Sequence, residues 1–203
     1  MVTFQVPLKQ EAEKPFRFSV ADRSVLLAGS RHGSVPHDTC CQIIQQFHHL
    51  GFRFFVGCAS GIDRCFREAL AVSPYHKDCV VACAFGNRVR PARSLGLLYA
   101  SVVVPPGLTP AAALRRRTLW MVRRSSLVLL IPVDPTIDRW GPGSRLVFRA
   151  AMYHLKPVFV AAQDPPPESV HYRLLPADLF SVLRGYWAVP HPFGDGGPCD
   201  DEY

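Results

Sequence analysis

The chain has 203 residues, of which 48% are apolar and 19% are charged, and its formal net charge is +7. This length and apolar content predict one folded domain that needs no disulfide or metal, and they exclude a disordered chain. No run of about 18 apolar residues is available to span a bilayer. Residues 1–18 carry charges where a secretory signal peptide is apolar, so we expect a soluble, cytoplasmic protein with no membrane partner.

Strand-like and helix-like segments alternate along most of the chain. The patterns predict strands at 24–30, 52–57, 78–85, 101–105, 126–133 and 157–162, and helices at 36–50, 61–72, 109–124 and 144–156. Pro36 stands at the start of the first helix, and Gly51 follows its end. Thr109 can cap the third helix, with Pro110 in its first turn. These residue types are common at such positions, which supports the assignments.

The domain organisation follows from the composition. A polar lead-in covers residues 1–22, and the main domain covers 23–163. Within it, residues 87–100 form a loop or short helix with three arginines. Residues 164–189 are predicted as a C-terminal extension with one short element, and 190–203 as an acidic, disordered tail.

Alternating strands and helices predict an α/β fold, namely a doubly wound, mostly parallel Rossmann-like sheet with helices on both faces. Sheets of this type bind ligands beyond the carboxyl ends of their strands, where the strand order reverses. The loops that follow strands are therefore the places to look for chemistry. Three of these loops have unusual sequences.

The first loop follows the first strand and contains Gly29, Ser30, Arg31, Gly33 and Ser34. Its glycines allow the backbone to approach a ligand closely, and the free N–H groups at the start of the next helix favour an anion. The arginine adds a forked positive charge, and the serines add hydroxyl groups. The loop predicts phosphate binding, but it matches neither the G-x-G-x-x-G pattern nor the P-loop.

The second loop follows the second strand and has small residues at 57–61. Ser60 and Asp63 have the spacing of a capping box, which by itself explains the motif as the start of a well-capped helix. Gly57 and Gly61 also suit a second phosphate or ribose cradle, because the first two helices begin at the same edge of the sheet. The sequence leaves both interpretations open.

The third candidate region combines two helices. Arg115, Arg116 and Arg117 are consecutive and spread over about 200° of a helix surface, so that one or two of them can face the edge of the sheet. A solvated basic face explains the same run equally well. Gly143 and Ser144 are predicted to open the fourth helix, whose N–H groups again suit an anion.

The cysteines and histidines give no sign of a metal site. The seven cysteines include no C-x-x-C pair, and the eight histidines have no ligand spacing. Cys79 and Cys83 lie on one face of a predicted strand, about 13 Å apart, which is too far to share a zinc ion. We expect buried free thiols, no metal and no cofactor. His32 lies in the first loop and is the histidine placed to contact a ligand.

Together and in this order, the motifs resemble the DNA-processing protein A (Smf) family. They resemble equally the wider SLOG superfamily of Rossmann-like proteins, which also contains the lysine-decarboxylase-like (LOG) proteins. The family motif S-G-x-A-x-G-I-D is matched by Gly57, Ala59, Gly61, Ile62 and Asp63. The resemblance implies a Rossmann-like fold that binds single-stranded DNA and forms a homo-oligomer.

The other family motifs are matched in part, over residues that lie between 24 and 162. Of an R-N-R motif, Arg115 and Arg117 are present, with Arg116 in place of the asparagine. An S-G-S segment is represented by Gly143 and Ser144. The Ala-His pair that follows the G-I-D segment is absent, and no winged-helix tail is recognisable. The sequence is therefore interpreted as a diverged, stand-alone member.

The LOG proteins make an enzyme the rival interpretation, because they cleave the N-glycosidic bond of nucleoside monophosphates. Their P-G-G-x-G-T signature and the catalytic glutamate after it are absent, and the predicted helix at 144–156 contains no carboxylate. Such a reaction needs a positioned carboxylate. Asp63 is the weak candidate for a catalytic acid or base, with Asp134 and Asp138 as further possibilities.

The sequence is therefore compatible with three functions. The first is a protein that binds single-stranded nucleic acid or a nucleotide phosphate without catalysis. Its ligand contacts are expected from Gly29, Ser30, Arg31, Gly33, Ser34, Gly57, Ser60, Gly61, Asp63, Arg115, Arg117, Gly143 and Ser144. The second is a nucleotide N-glycosidase or phosphoribohydrolase-like enzyme, and the third is a basic subunit of a larger nucleoprotein assembly.

Composition supports the first of these functions. Lys and Arg number 23 against 16 acids, 19 of the 23 are arginine, and four of the acids lie in the last nine residues. Arginine clusters at 88–93, 115–117 and 123–124 suit phosphates. A GC-rich genome explains the arginine content equally well. Phe85, Tyr99, Trp120 and Trp140 are candidates for base stacking, although a core position is the simpler interpretation of each.

Overall fold

Strands and helices alternate as the apolar patterns predicted. The computed structural model describes residues 23–97, 99–133 and 139–191. The strands are β1 (Ser24–Gly29), β2 (Arg53–Gly57), β3 (Cys79–Cys83), β4 (Tyr99–Val102), β5 (Leu127–Ile131), β6 (Val158–Val160), β7 (Tyr172–Leu179) and β8 (Leu183–Pro190). The helices are α1 (His37–His49), α2 (Ile62–Val72), α3 (Val89–Ser94), α4 (Pro110–Arg124) and α5 (Pro142–Tyr153). The lead-in at 1–22 and residues 192–203 of the predicted tail at 190–203 lie outside the described residues, whereas Pro190 ends β8.

The strands form one sheet in the order β4-β3-β2-β1-β5-β6-β8-β7. Every pairing among β1 to β6 is parallel. The chain moves outward from β1 to β4 and then crosses back to place β5 on the other side of β1. The order therefore reverses between β1 and β5, and a ligand crevice is expected beyond their carboxyl ends.

Helices cover both faces of the sheet because the central strands are apolar at nearly every position. Val25 and Leu27 pack on one face against Phe47 of α1 and Phe66 of α2. Leu26 faces the opposite side, where α4 and α5 pack. This arrangement confirms the expected α/β class with a mostly parallel sheet. Among the described residues, no helix combines the length and the apolarity needed to cross a bilayer.

The last two strands correct the sequence analysis, which expected one short element at 171–187. The structure instead has an antiparallel hairpin, with Tyr172 paired to Pro190 at its open end and Leu179 paired to Leu183 beside the turn. β8 also pairs antiparallel with β6, so the hairpin extends the same sheet. Pro176 lies in the edge strand β7, where a missing N–H donor is tolerated, but a proline there hides the strand pattern in the sequence.

Most of the other element boundaries lie within one residue of the prediction, and the rest shift by two or three residues. α5 begins at Pro142 instead of Ser144 and ends at Tyr153. β4 covers Tyr99–Val102 instead of 101–105, and the arginine-rich segment before it forms a short 3₁₀ turn followed by α3. The predicted cap of α4 is confirmed, because the Thr109 side chain accepts a hydrogen bond from the Ala112 N–H.

Candidate functional site

The loops after β1 and β2 are bonded to each other and to the last residue of β5 at the carboxyl edge of the sheet. The Ile62 N–H donates to the Ser30 carbonyl at 3.0 Å, and the Ser30 N–H donates to the Ile131 carbonyl at 3.0 Å. The Ser60 hydroxyl donates to the Arg31 carbonyl at 3.3 Å. The structure thus brings together the first two predicted loops at the point where the strand order reverses.

Two glycines make this close approach possible. A Cβ at Gly29 would lie 2.3 Å from the Ile131 carbonyl oxygen, which is far inside a normal contact distance. A Cβ at Gly61 would lie 2.3 Å from the Ser30 carbonyl oxygen, and Gly61 also has a φ of +65°, which other residues rarely adopt. The sequence predicted close approach of the backbone to a ligand, whereas here these glycines admit neighbouring backbone.

A buried ion pair lies behind the second loop. Arg117 Nη1 of α4 is 3.8 Å from Asp63 Oδ2 of α2, and the two side chains are 7% and 8% exposed. A Cβ at Gly57 would lie 2.2 Å from Asp63 Oδ2, so this glycine leaves the space that the pair occupies. Burial raises the pKa of Asp63, and the charges of Arg117 and Arg67 oppose that shift.

The expected capping box does not form. Gly61 is the residue that precedes α2, and no side chain caps the helix. Asp63 Oδ2 instead accepts a hydrogen bond from the Ala59 N–H at 3.3 Å, while Ser60 bonds to the first loop. The capping-box interpretation of Ser60 and Asp63 is therefore wrong, because the two side chains serve tertiary contacts.

Two cysteines join the same cluster, and the sequence analysis did not connect them to it. The register pairs Gly57 with Ala82, which places Cys58 beside Cys83 at the ends of β2 and β3. The pKa of Cys58 is lowered to about 5 by a hydrogen bond with the Cys83 thiol and, to a smaller extent, by the charge of Arg117, against the opposing effect of burial. Arg117 Nη1 is 3.5 Å from Cys58 Sγ. The same thiol–thiol bond raises the pKa of Cys83.

Arg67 completes the cluster from one turn further along α2. Its Nη1 donates to the Gly57 carbonyl at 2.5 Å. Arg67, Arg117, Asp63 and Cys58 therefore lie in one cluster, where the charges of Asp63 and Cys58 oppose the lowering of the Arg67 pKa by burial. A signal for this cluster was present, because Arg67 follows Asp63 by four residues and thus lies on the same face of the helix.

The remaining predicted residues surround the cluster without all joining it. Arg31, His32, Ser34, Ser60 and Gly143 are exposed. Ser144 is buried in the first turn of α5, and Gly33 packs beside Ile62. Arg115 is exposed and lies about 200° around α4 from buried Arg117, so it points away from the cluster.

A small apolar cavity lies beyond the ends of β3 and β4. Its volume is about 340 Å³, and its lining includes Phe85, Val102, Pro105 and Leu108. Of the aromatic candidates for base stacking, Trp140 is buried in the core, whereas Tyr99 is 57% exposed at the opposite edge of the sheet. In the part of the chain that the structure describes, no group of three or more His, Cys, Asp or Glu side chains is placed to hold a metal.

Comparison with known proteins identifies the fold. No protein-family model matches the chain, and no curated protein matches it. The structure of DNA processing protein A from Helicobacter pylori, described for its unique single-stranded DNA binding mode, is similar with a TM-score of 0.51 and 17% identity. The match covers 70% of this chain and 66% of that one.

A second solved structure gives a weaker match. DNA processing protein A (DprA) from Streptococcus pneumoniae has a TM-score of 0.48 at 17% identity, over 73% of this chain and 51% of that one. The chain thus spans less than two thirds of the length of either structure. The Helicobacter pylori match confirms a DprA-like, Rossmann-like fold, as the sequence motifs predicted.

Proposed function

We propose that this chain binds single-stranded nucleic acid, or the phosphate of a nucleotide, without catalysing a reaction. The observation that carries the proposal is that the loops after β1 and β2 are joined to each other and to the end of β5 at the point where the strand order reverses. A sheet of this type binds its ligand there. The fold is shared with a protein described as binding single-stranded DNA, which supports the choice of ligand.

Exposed groups on these loops are the ones we assign to phosphate contacts. Arg117 is buried, and its charge is balanced by Asp63, so it is a poor first contact for an anion. The Arg31 side chain is exposed on the first loop, with the hydroxyls of Ser34 and Ser60 nearby on the two loops. A guanidinium on a glycine-rich loop suits a phosphate oxygen pair. Arg31 is therefore the residue we expect to matter most at this edge.

The same geometry counts against catalysis by Asp63. Its carboxylate accepts from the Ala59 N–H and pairs with Arg117, and its side chain is 8% exposed. The helix that would supply a catalytic glutamate in LOG proteins, α5, contains no carboxylate. A glycosidic bond needs an acid or base within hydrogen-bond reach of the substrate. Binding is therefore the better-supported function.

The test is fluorescence anisotropy of a labelled single-stranded oligonucleotide with the wild type, Arg31→Ala and Arg184→Ala. Arg184 is the matched control, since its side chain is 93% exposed on β8 and its loss changes the net charge equally. We expect binding by the wild type, about tenfold weaker binding by Arg31→Ala and little change in the control. Equal binding by all three would overturn the role of Arg31, and release of a base from a nucleoside monophosphate would overturn the absence of catalysis.

A further inference from the structure

A row of partly exposed side chains crosses the sheet near the amino ends of its strands. Parallel register aligns Leu26 with Phe55, Phe55 with Val80, and Val80 with Tyr99. Side chains aligned in this way point to the same face, which is the face that α4 covers over Leu26. The exposed fraction of the residues rises along the row, from zero at Leu26 to 57% at Tyr99.

This face of the sheet is open because α4 covers the centre and leaves β4 bare. Ser101, two residues beyond Tyr99, is also exposed, whereas Ala100 on the other face is fully buried. Trp120 of α4 stands at the side of the opening, edge-on to Phe55 with 5.8 Å between ring centroids. The exposed part of the row thus consists of the rings of Phe55 and Tyr99 with Val80 between them, and Trp120 lies beside Phe55. We call it the amino-edge platform, comprising Phe55, Val80, Tyr99 and Trp120.

Cations surround this platform. It adjoins a cavity of about 1260 Å³ whose basic lining residues are Arg23, Arg53, Lys77, Arg123, Arg124, His154 and Lys156. The one carboxylate in the lining belongs to Asp78, which already bonds to His48 at 3.2 Å. The Arg124 guanidinium lies 4.2 Å from the centre of the Trp120 ring.

Some of these cations have a structural role. Arg23 donates to the Leu50 carbonyl at the end of α1, and Lys156 donates to the carbonyls of Arg123 and Ser125 at the end of α4. Cations at helix C-termini are stabilising there. This role accounts for two of the cations and leaves the exposed side chains of the others unexplained.

Four exposed cations of the lining remain, namely Arg53, Lys77, Arg123 and Arg124, and the two arginines of α4 lie in its last turn. Among the described residues, none of the four pairs with a carboxylate. Positive charge is crowded in this lining, where burial lowers the pKa of His154 and the charges of Arg123 and Lys156 add to that effect. A polyanion would relieve this repulsion.

We propose that the amino-edge platform is a second binding site, which takes a short stretch of single-stranded nucleic acid. Bases stack on Tyr99 and against Trp120, and phosphates lie on Arg53, Lys77 and Arg124. Exposed aromatic rings of the protein beside its cations favour this ligand over an acidic peptide, because a nucleic acid has both phosphates and bases that stack, whereas an acidic peptide has negative charge but no bases. The choice of ligand rests on the proposed function, whereas the site itself lies at the opposite edge of the sheet from Arg31.

The dimensions suit this ligand. Phe55 and Tyr99 are two strand spacings apart, about 10 Å, which leaves room for bases to lie along the row. α4 runs between the two edges and is about 22 Å long. The amino-edge platform is therefore a separate surface, and substitutions there and at Arg31 report on different contacts.

The experiment combines photo-crosslinking with binding by matched variants. The wild type is irradiated with an oligonucleotide that carries 5-iodouracil, and the crosslinked peptides are mapped by mass spectrometry. Anisotropy is measured for Tyr99→Ala, Tyr99→Phe, Arg53→Ala, Arg31→Ala and the control Arg184→Ala. We expect crosslinks at Tyr99 or Trp120, about tenfold weaker binding by Tyr99→Ala, and unchanged binding by Tyr99→Phe, which keeps the ring.

The outcomes separate this proposal from the first one. If Arg31→Ala alone weakens binding and crosslinks avoid the amino edge, the platform is overturned and the proposed function stands. If Tyr99→Ala and Arg53→Ala alone weaken binding, the platform stands and the assignment of Arg31 falls. If polyglutamate displaces the oligonucleotide and Tyr99→Ala does not change the affinity, the amino-edge platform binds acidic peptides and the proposal is overturned. If no oligonucleotide binds at low salt, both proposals fail.

Discussion

The two edges of the sheet use arginine in opposite ways. At the carboxyl edge, Arg117 is 7% exposed in its side chain and has Asp63 and Cys58 as partners. At the amino edge, Arg53 and Arg124 are exposed beside an open groove and have no carboxylate partner among the described residues. The sequence motifs point to a ligand site at the carboxyl edge, whereas the exposed positive charge points to one at the amino edge. Partners and burial therefore separate an arginine that stabilises the fold from one available to a ligand.

One helix serves both edges. Arg117, at the middle of α4, turns inward to Gly57 at the end of β2, and the last turns of the helix place Trp120 and Arg124 at the amino edge. Substitutions at the two edges should therefore differ in their effects on stability and on binding.

The largest expected effect is the loss of stability in Arg117→Met. Removing one partner of a buried ion pair leaves the other uncompensated and costs about 4 kcal/mol. Urea denaturation measures the free energy of unfolding. Arg53→Met serves as the control at the exposed edge, with an expected change below about 0.5 kcal/mol. The double variant Asp63→Leu/Arg117→Met should recover part of the loss, and a cost in Arg117→Met as small as that of the control would contradict the account.

Close packing at the carboxyl edge predicts the next largest effect. Gly29→Ala places a Cβ 2.3 Å from the Ile131 carbonyl oxygen, and the backbone there cannot move without disturbing β5. We expect a cost of about 3 kcal/mol, measured by the same denaturation. Gly143→Ala is the control, because no atom lies within 4 Å of its Cβ position. Similar stability of the two variants would show that the first loop is not packed as described.

The Cys58 thiolate predicts an intermediate effect that depends on pH. With its pKa lowered from 9.0 to about 5, Cys58 is ionised in the folded chain and protonated in the unfolded chain between these values. Stability from this group therefore rises with pH across that window and is lost as the pH falls through about 5. Thiolate absorbance at 240 nm should titrate near pH 5 and disappear in Cys58→Ser. A transition that appears only near pH 9 would contradict the cluster geometry.

The smallest expected effect concerns the start of α4. Thr109→Ala removes the side-chain acceptor of the Ala112 N–H and should cost about 1 kcal/mol of stability. Because the Thr109 hydroxyl bonds within α4 and belongs to neither proposed binding surface, oligonucleotide affinity should be unchanged when both proteins are folded. Thr109→Ser keeps the hydroxyl and is the matched control. A change in affinity without a change in stability would place this residue in a binding site instead.

The alternating strands and helices from β1 to β6 were predicted well from the sequence, because buried parallel strands and capped helices have strong local patterns. It failed at the β7–β8 hairpin, where Pro176 and Gly185 interrupt the pattern and pairing to β6 supplies the missing order. The first two loops were placed correctly at one edge of the sheet. The partners of Asp63 were not predictable, since Arg117 and Cys58 meet it only through strand order and the course of α4.

The salt dependence of oligonucleotide binding by the wild type and by Arg31→Ala tests directly whether the chain binds nucleic acid through its carboxyl edge. Each phosphate contact to a single strand contributes about 0.7 to the slope of log affinity against log salt. We expect the wild type to bind tightly at low salt, with a steep fall of log affinity against log salt. In Arg31→Ala we expect this slope to be smaller by about 0.7. Failure of the wild type to bind at low salt, or a slope that is flat, would contradict nucleic-acid binding.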